Sequence, residues 1–155
     1  MPTYIALLRA VNLGGYGKLS MAEFRKLLEG LGFGNVQTYI QSGNAVFDAK
    51  GSAGKTGAAI AAGLEKLMGA RVHVNFLAAT AATGGEAALR AIQQKYPERR
   101  DRFHVAGEHI YFHFPDGAAE TKFTGKALER AIGAAGTGRN WNTVVKLWEM
   151  TKGRD

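Results

Sequence analysis

Two stretches at opposite ends of the chain hold the residue types best suited to chemistry. The first runs Leu8-Arg9-Ala10-Val11-Asn12-Leu13-Gly14-Gly15-Tyr16-Gly17-Lys18, the second Thr137-Gly138-Arg139-Asn140-Trp141-Asn142-Thr143-Val144. Each sets cations beside small or amide-bearing residues at the expected mouth of a helix, where backbone N–H groups have no internal partner. Such a mouth suits an anion, because the free amides and the helix dipole both favour negative charge. Gly14 and Gly15 let the backbone approach a ligand closely, and Arg9 and Lys18 add full charges. Arg139 offers a planar fork for phosphate or carboxylate. Asn140 reads as a helix N-cap, with Asn142 and Thr143 in the first turn. One asparagine suffices for capping, so the surplus polar groups point to a ligand or a buried polar network. Asn12 in the first loop, with Gln41, Ser42 and Asn44 of a hairpin turn, completes the candidate anion set. The roles expected of the first loop, the hairpin turn and the last helix mouth are, in that order, backbone cradle, charge neutralisation and orientation. The competing use of the same residues is plain: solvated loops and caps.

Other segments imitate chemistry without completing it. Residues 49–56, Ala-Lys-Gly-Ser-Ala-Gly-Lys-Thr, end like a phosphate-binding P-loop but carry Ala49 where the first glycine belongs. They read as a loop with Thr56 capping the following helix. His104, His109 and His113 fall in a hairpin whose two-residue turn, Gly107-Glu108, sets His104 opposite Tyr111. His109 and His113 are then about 13 Å apart along one strand, too far for a single ion, so no metal is expected. Asp48 and Glu108 are the only acids at strand ends and find no partner by spacing. No nucleophile–base set stands out, so no reaction and no cofactor are assigned.

The chain has 155 residues, 46% hydrophobic and 21% charged, enough to build a core. Cysteine is absent, which excludes disulfides, thiolate zinc sites and cysteine nucleophiles. The net charge of +7 favours phosphate-bearing partners, though it also serves solubility. The densest cations are Arg90, Lys95, Arg99, Arg100 and Arg102, a surface that suits RNA or DNA. No apolar run approaches the roughly 20 residues that span a bilayer, so no membrane partner is expected. The first residues lack the basic start of a secretory signal, and a cytoplasmic location is expected.

The elements that must position these groups follow from hydrophobic spacing. Residues 4–11 read as a buried strand. Ser20 and Glu23 form a capping box, and Phe24, Leu27, Leu28 and Leu31 recur at helical spacing up to Gly32. Residues 36–40 and 45–47 form a hairpin; a helix carries Ile60, Leu64, Leu67 and Met68; residues 72–76 alternate as a strand. This strand-helix-strand-strand-helix-strand order is the split βαβ, ferredoxin-like arrangement. The second part reads as a helix from a Thr83–Glu86 capping box to about Tyr96, a hairpin, a helix over 126–132 and a last helix. Trp141, Val145 and Trp148 share one face of that last helix, and the tryptophans are expected in the core; an exposed Trp141 would instead suit a stacked base. The fold class is therefore α+β, with a ferredoxin-like subdomain over 1–79 and a helix-hairpin-helices subdomain over 80–155 packed on it.

Three phrases together resemble a bacterial family known only as domain of unknown function 1697: residues 7–21, residues 38–47 (Thr-Tyr-Ile-Gln-Ser-Gly-Asn-Ala-Val-Phe) and residues 137–147 (Thr-Gly-Arg-Asn-Trp-Asn-Thr-Val-Val-Lys-Leu). The resemblance implies an α+β fold with a ferredoxin-like first part, and it implies no activity. From the residues themselves, the leading expectation is a small protein that binds an anionic or phosphate-bearing ligand. Nucleic-acid binding by the basic surface, or an enzyme acting on a small phosphorylated substrate, are the alternatives.

Overall fold

The computed structural model describes residues 1–9, 11–12, 18–69 and 85–154. Contacts divide the chain into two units, Met1–Phe76 with Thr137–Asp155, and Leu77–Gly136. The C-terminal segment thus belongs with the first unit. The fold is mixed α and β.

The first unit is built on an antiparallel sheet of β1 (Thr3–Leu7), β2 (Gly34–Tyr39) and β3 (Asn44–Asp48), in the order β1-β3-β2. The capping box forms as expected: Ser20 Oγ accepts from the Glu23 N–H at 3.1 Å, and Glu23 accepts from the Ser20 N–H at 3.1 Å. It opens α1 (Met21–Gly30), and Gly32 at φ +80° follows the helix. The segment 49–56 departs from expectation at its cap. Ser52 caps α2 (Ala53–Met68), while Thr56 lies inside that helix and is buried. The strand expected over 72–76 lies outside the described residues.

β3 is buried along its whole length because it is the central strand and both its faces are covered. Alternation puts Ala45 and Phe47 on one face, in a core with Ala6, Phe24, Leu28, Ile60 and Leu64. Phe33 stacks on Phe47 at 4.8 Å. Burying such a side chain contributes about 1.5–3 kcal/mol. Asn44, Val46 and Asp48 take the other face of β3, and α5 (Trp141–Glu149) packs against that strand with Thr143 and Leu147 buried.

Both polar ends of that face are bolted to the C-terminal segment. Asn44 is gripped by Arg139. Asp48, which spacing left without a partner, is in fact well supplied. Thr3 Oγ1 and Asn35 Nδ2 donate to its two oxygens at 2.8 and 2.6 Å, and Arg154 Nη1 lies 3.7 Å away. Those partners hold the Asp48 carboxyl below the usual carboxylate range, against the opposing effect of burial. A depressed carboxyl adds stability above its unfolded value of about 3.9, and that stability is lost as pH falls through the lower folded value. Asp48→Asn is therefore expected to lower the urea midpoint at neutral pH and to flatten its fall in acid. An acid limb as steep as that of the parent protein would contradict this.

The second unit carries α3 (Gly85–Lys95), a hairpin of β4 (Arg102–Ala106) and β5 (His109–His113), a 3-10 turn (Ala118–Glu120) and α4 (Gly125–Ile132) among its described residues. The hairpin register sets His104 opposite Tyr111, as the two-residue turn requires, with Gly107 at φ +58°. Phe103 and Phe112 pack on the buried Phe123 at 5.7 and 5.2 Å. Thr83, the expected cap of α3, lies outside the described residues. Among the described residues, no helix is long and apolar enough to cross a membrane.

Candidate functional site

The hairpin turn lies beside the end of β1 for a topological reason. β1 and β3 are antiparallel neighbours with Leu7 opposite Asn44, so the residues after β1 meet those before β3. The Leu8 N–H donates to the Gly43 carbonyl at 2.7 Å. The close approach leaves no room for a side chain: a Cβ on Gly43 would sit 2.7 Å from Leu8 Cβ and 2.8 Å from Val11 Cγ2, and its φ is +83°.

Asn12 adopts φ +54°, a conformation its short amide tolerates. Its side chain closes the first loop like a clasp. Oδ1 accepts from the Leu19 N–H at 2.9 Å, and Nδ2 donates to the Leu19 carbonyl at 2.8 Å and the Gln41 carbonyl at 2.7 Å. The loop base and the hairpin turn are thereby one assembly. Gly14 and Gly15 lie outside the described residues.

Asn44 is fully buried, with Nδ2 donating to the Tyr39 carbonyl and to Ser42 Oγ, each at 2.8 Å. Its Oδ1 accepts from Arg139 Nε at 2.6 Å. Arg139 Nη2 donates to the carbonyls of Leu8 at 2.6 Å and Ser42 at 3.1 Å, and Nη1 to Thr137 Oγ1 and the Gly138 carbonyl, each at 2.8 Å. Those five bonds engage the whole fork. Arg139 is thus a strut that fastens the two ends of the chain together. Every described acceptor it meets is neutral, and no described carboxylate pairs with it. Burial accordingly pulls its pKa below the ordinary guanidinium value.

Asn140 caps α5 as expected, its Oδ1 accepting from the Thr143 N–H at 2.9 Å, and Thr143 is buried. Lys18, Gln41, Ser42 and Asn142 are exposed around this assembly, and Arg9 is half-buried. The two tryptophans overturn their expected place in the core. Trp141 is 64% and Trp148 57% exposed, because Thr143 and Leu147 form the buried stripe of α5. Lys152 Nζ lies 3.5 Å from the centre of the Trp148 ring, a cation–π contact.

Spacing missed Thr137 and the Leu8 and Ser42 carbonyls as Arg139 partners, since a backbone carbonyl leaves no mark in a sequence. It also missed the Asp48–Arg154 end of β3, where a recess of about 1180 Å³ lies. That recess mixes Arg25, Lys152 and Arg154 with Glu29, Asp48 and Glu149, so the two signs offset. Among the described residues, the Arg139 end carries the uncompensated charge.

No curated protein and no solved structure matches the chain. A family model does match it, over residues 1–135. The family implied by the three sequence phrases is thereby established: the chain belongs to the family described as Protein of unknown function (DUF1697).

Proposed function

We propose that the protein binds a phosphate-bearing ligand at the mouth formed by Asn12 and Lys18 at the base of the first loop, the hairpin turn and the start of α5. One observation carries the reading: the Arg139 charge is partly desolvated, its described hydrogen bonds all go to neutral groups, and it lacks a described counter-charge. An uncompensated cation in a medium of low dielectric attracts an anion without touching it. Arg139 supplies that field while its bonds to Leu8, Ser42 and Asn44 hold the mouth together. Direct contact falls to the exposed groups, Lys18, Gln41, Ser42 and Asn142, and to the first N–H groups of α5. Glu23 does not share the role, because its carboxylate caps α1 and repels an anion there. The order β1-β3-β2, with α1 crossing from β1 to β2, supports a ferredoxin-like reading of this unit.

Inorganic phosphate is the direct probe. Titration at constant ionic strength is expected to shift the amide resonances of Ser42, Asn142 and Lys18 to saturation and to raise the melting midpoint, since a ligand preferring the folded state stabilises it. Lys18→Ala, at an exposed position, is expected to weaken binding and leave the fold intact. Shifts no larger than those from chloride would overturn the proposal.

A further inference from the structure

The basic cluster around residues 99–102 belongs to the second unit. We infer that this unit holds a separate anion pocket, formed by Arg99, Arg102 and His113 and shaped for the phosphate group of a small phosphomonoester. The inference does not rest on the site in the first unit.

Arg102 and His113 are direct cross-strand partners at the open end of the β4–β5 hairpin, and both are exposed. Opposed residues of a hairpin project from one face with Cβ atoms about 5 Å apart, so both side chains reach one oxyanion. Arg99 supplies the fork. Its Nε and Nη2 are buried and have no hydrogen-bond partner. These two nitrogens form the edge of a guanidinium that grips two oxygens of a phosphate side by side. Asp101 meets them only as an ion pair: its Oδ1 stands 3.8 Å from Arg99 Nη2, beyond hydrogen-bond reach, and makes no hydrogen bond of its own. The other Asp101 oxygen accepts from Thr121 Oγ1 at 2.8 Å. Buried donors that make no hydrogen bond are costly even beside a counter-charge, and an oxyanion hydrogen-bonded at the Arg99 edge would remove that cost. Arg100 is spent on Asp116, its hydrogen-bonded partner.

These residues line a recess of about 520 Å³. That volume falls in the range of small-molecule pockets. A nucleic-acid strand needs instead a track of cations several phosphates long. Beyond Arg102 and His113, the exposed face of the hairpin continues as His104, Tyr111, Ala106 and His109, with no lysine or arginine. The geometry therefore favours a small ligand over a polymer.

The test follows inorganic phosphate by NMR at the His113 imidazole and the Arg99 Nε–H. Both signals are expected to shift together and saturate. Arg102→Ser, at an exposed position, is expected to weaken the affinity by at least about tenfold, the loss that accompanies one charge-assisted bond. His113→Asn serves as a second variant at an exposed position and is expected to weaken it as well. A simple phosphomonoester is expected to compete with inorganic phosphate for the pocket. Signals that stay still, shifts that never saturate, or an affinity indifferent to both variants would overturn the inference. Tighter, steeply salt-dependent binding of a single-stranded oligonucleotide at the same signals would overturn the assignment to a small ligand. The Asn142 and Lys18 amides report the first unit separately, so either site can fail alone.

Discussion

Arg139→Ala is expected to destabilise the first unit by about 3 kcal/mol or more, the cost of stripping the donor from a half-buried network that includes the wholly buried Asn44. At this chain length, each kcal/mol moves the melting midpoint by about 2–4 °C, so a fall of roughly 10 °C is expected. The reason is the number of groups orphaned. Asn44 Oδ1, wholly buried, loses its donor, and the Leu8 and Ser42 carbonyls lose theirs. Arg139→Lys tests the fork as distinct from the charge. A lysine has three donors on a single nitrogen and cannot reach five separated acceptors, so it is expected to recover only a minor part of the loss. Differential scanning calorimetry of the three proteins reads both effects. An alanine variant melting within a degree or two of the parent would show that the strut is dispensable. Arg139 is thus unsuited to a simple ligand-binding test, because truncating it removes a fastening as well as a charge.

Gly43→Ala is expected to cost about 2–4 kcal/mol, through backbone strain at positive φ together with overpacking. The added methyl would meet Leu8 Cβ at 2.7 Å and Val11 Cγ2 at 2.8 Å. Neither contact is relieved by a side-chain rotation, since Leu8 Cβ is fixed to the backbone and Val11 is itself in the core. Relief would require the turn to withdraw from the end of β1, which breaks the 2.7 Å bond from the Leu8 N–H to the Gly43 carbonyl. Urea unfolding measures the loss. Hydrogen exchange at the Leu8 amide tells whether the turn has moved. Gly51→Ala is the matched control: that residue also has positive φ, +109°, but nothing lies within 4 Å of its added Cβ. A Gly43 variant no less stable than the Gly51 variant would mean that close approach plays no part.

Both predictions concern contacts made far along the chain, and that separates what was legible in the sequence from what was not. The Ser20–Glu23 capping box, the Asn140 cap and the Gly107-Glu108 turn with its register could all be read directly. Each depends on groups within a few residues of one another, so spacing alone brings donor to acceptor. The polar surplus of the last helix mouth was also legible, and so was its alternative outcome as a buried network. Arg139 joins that network with partners 95, 97 and 131 positions away.

The exposure of the tryptophans could not be read from spacing. Periodicity finds a stripe of large apolar residues but does not say which stripe a sheet will cover, and β3 meets Thr143 and Leu147 instead. Asp48 was likewise read as unpaired because its partners come from β1, β2 and the last described residue, Arg154. Local order, then, was written in the amino-acid sequence, since backbone geometry and short-range hydrogen bonds act between near neighbours. Which charges are buried, which are compensated and which face meets solvent was decided only when an antiparallel pairing of β1 with β3 brought distant groups to one place.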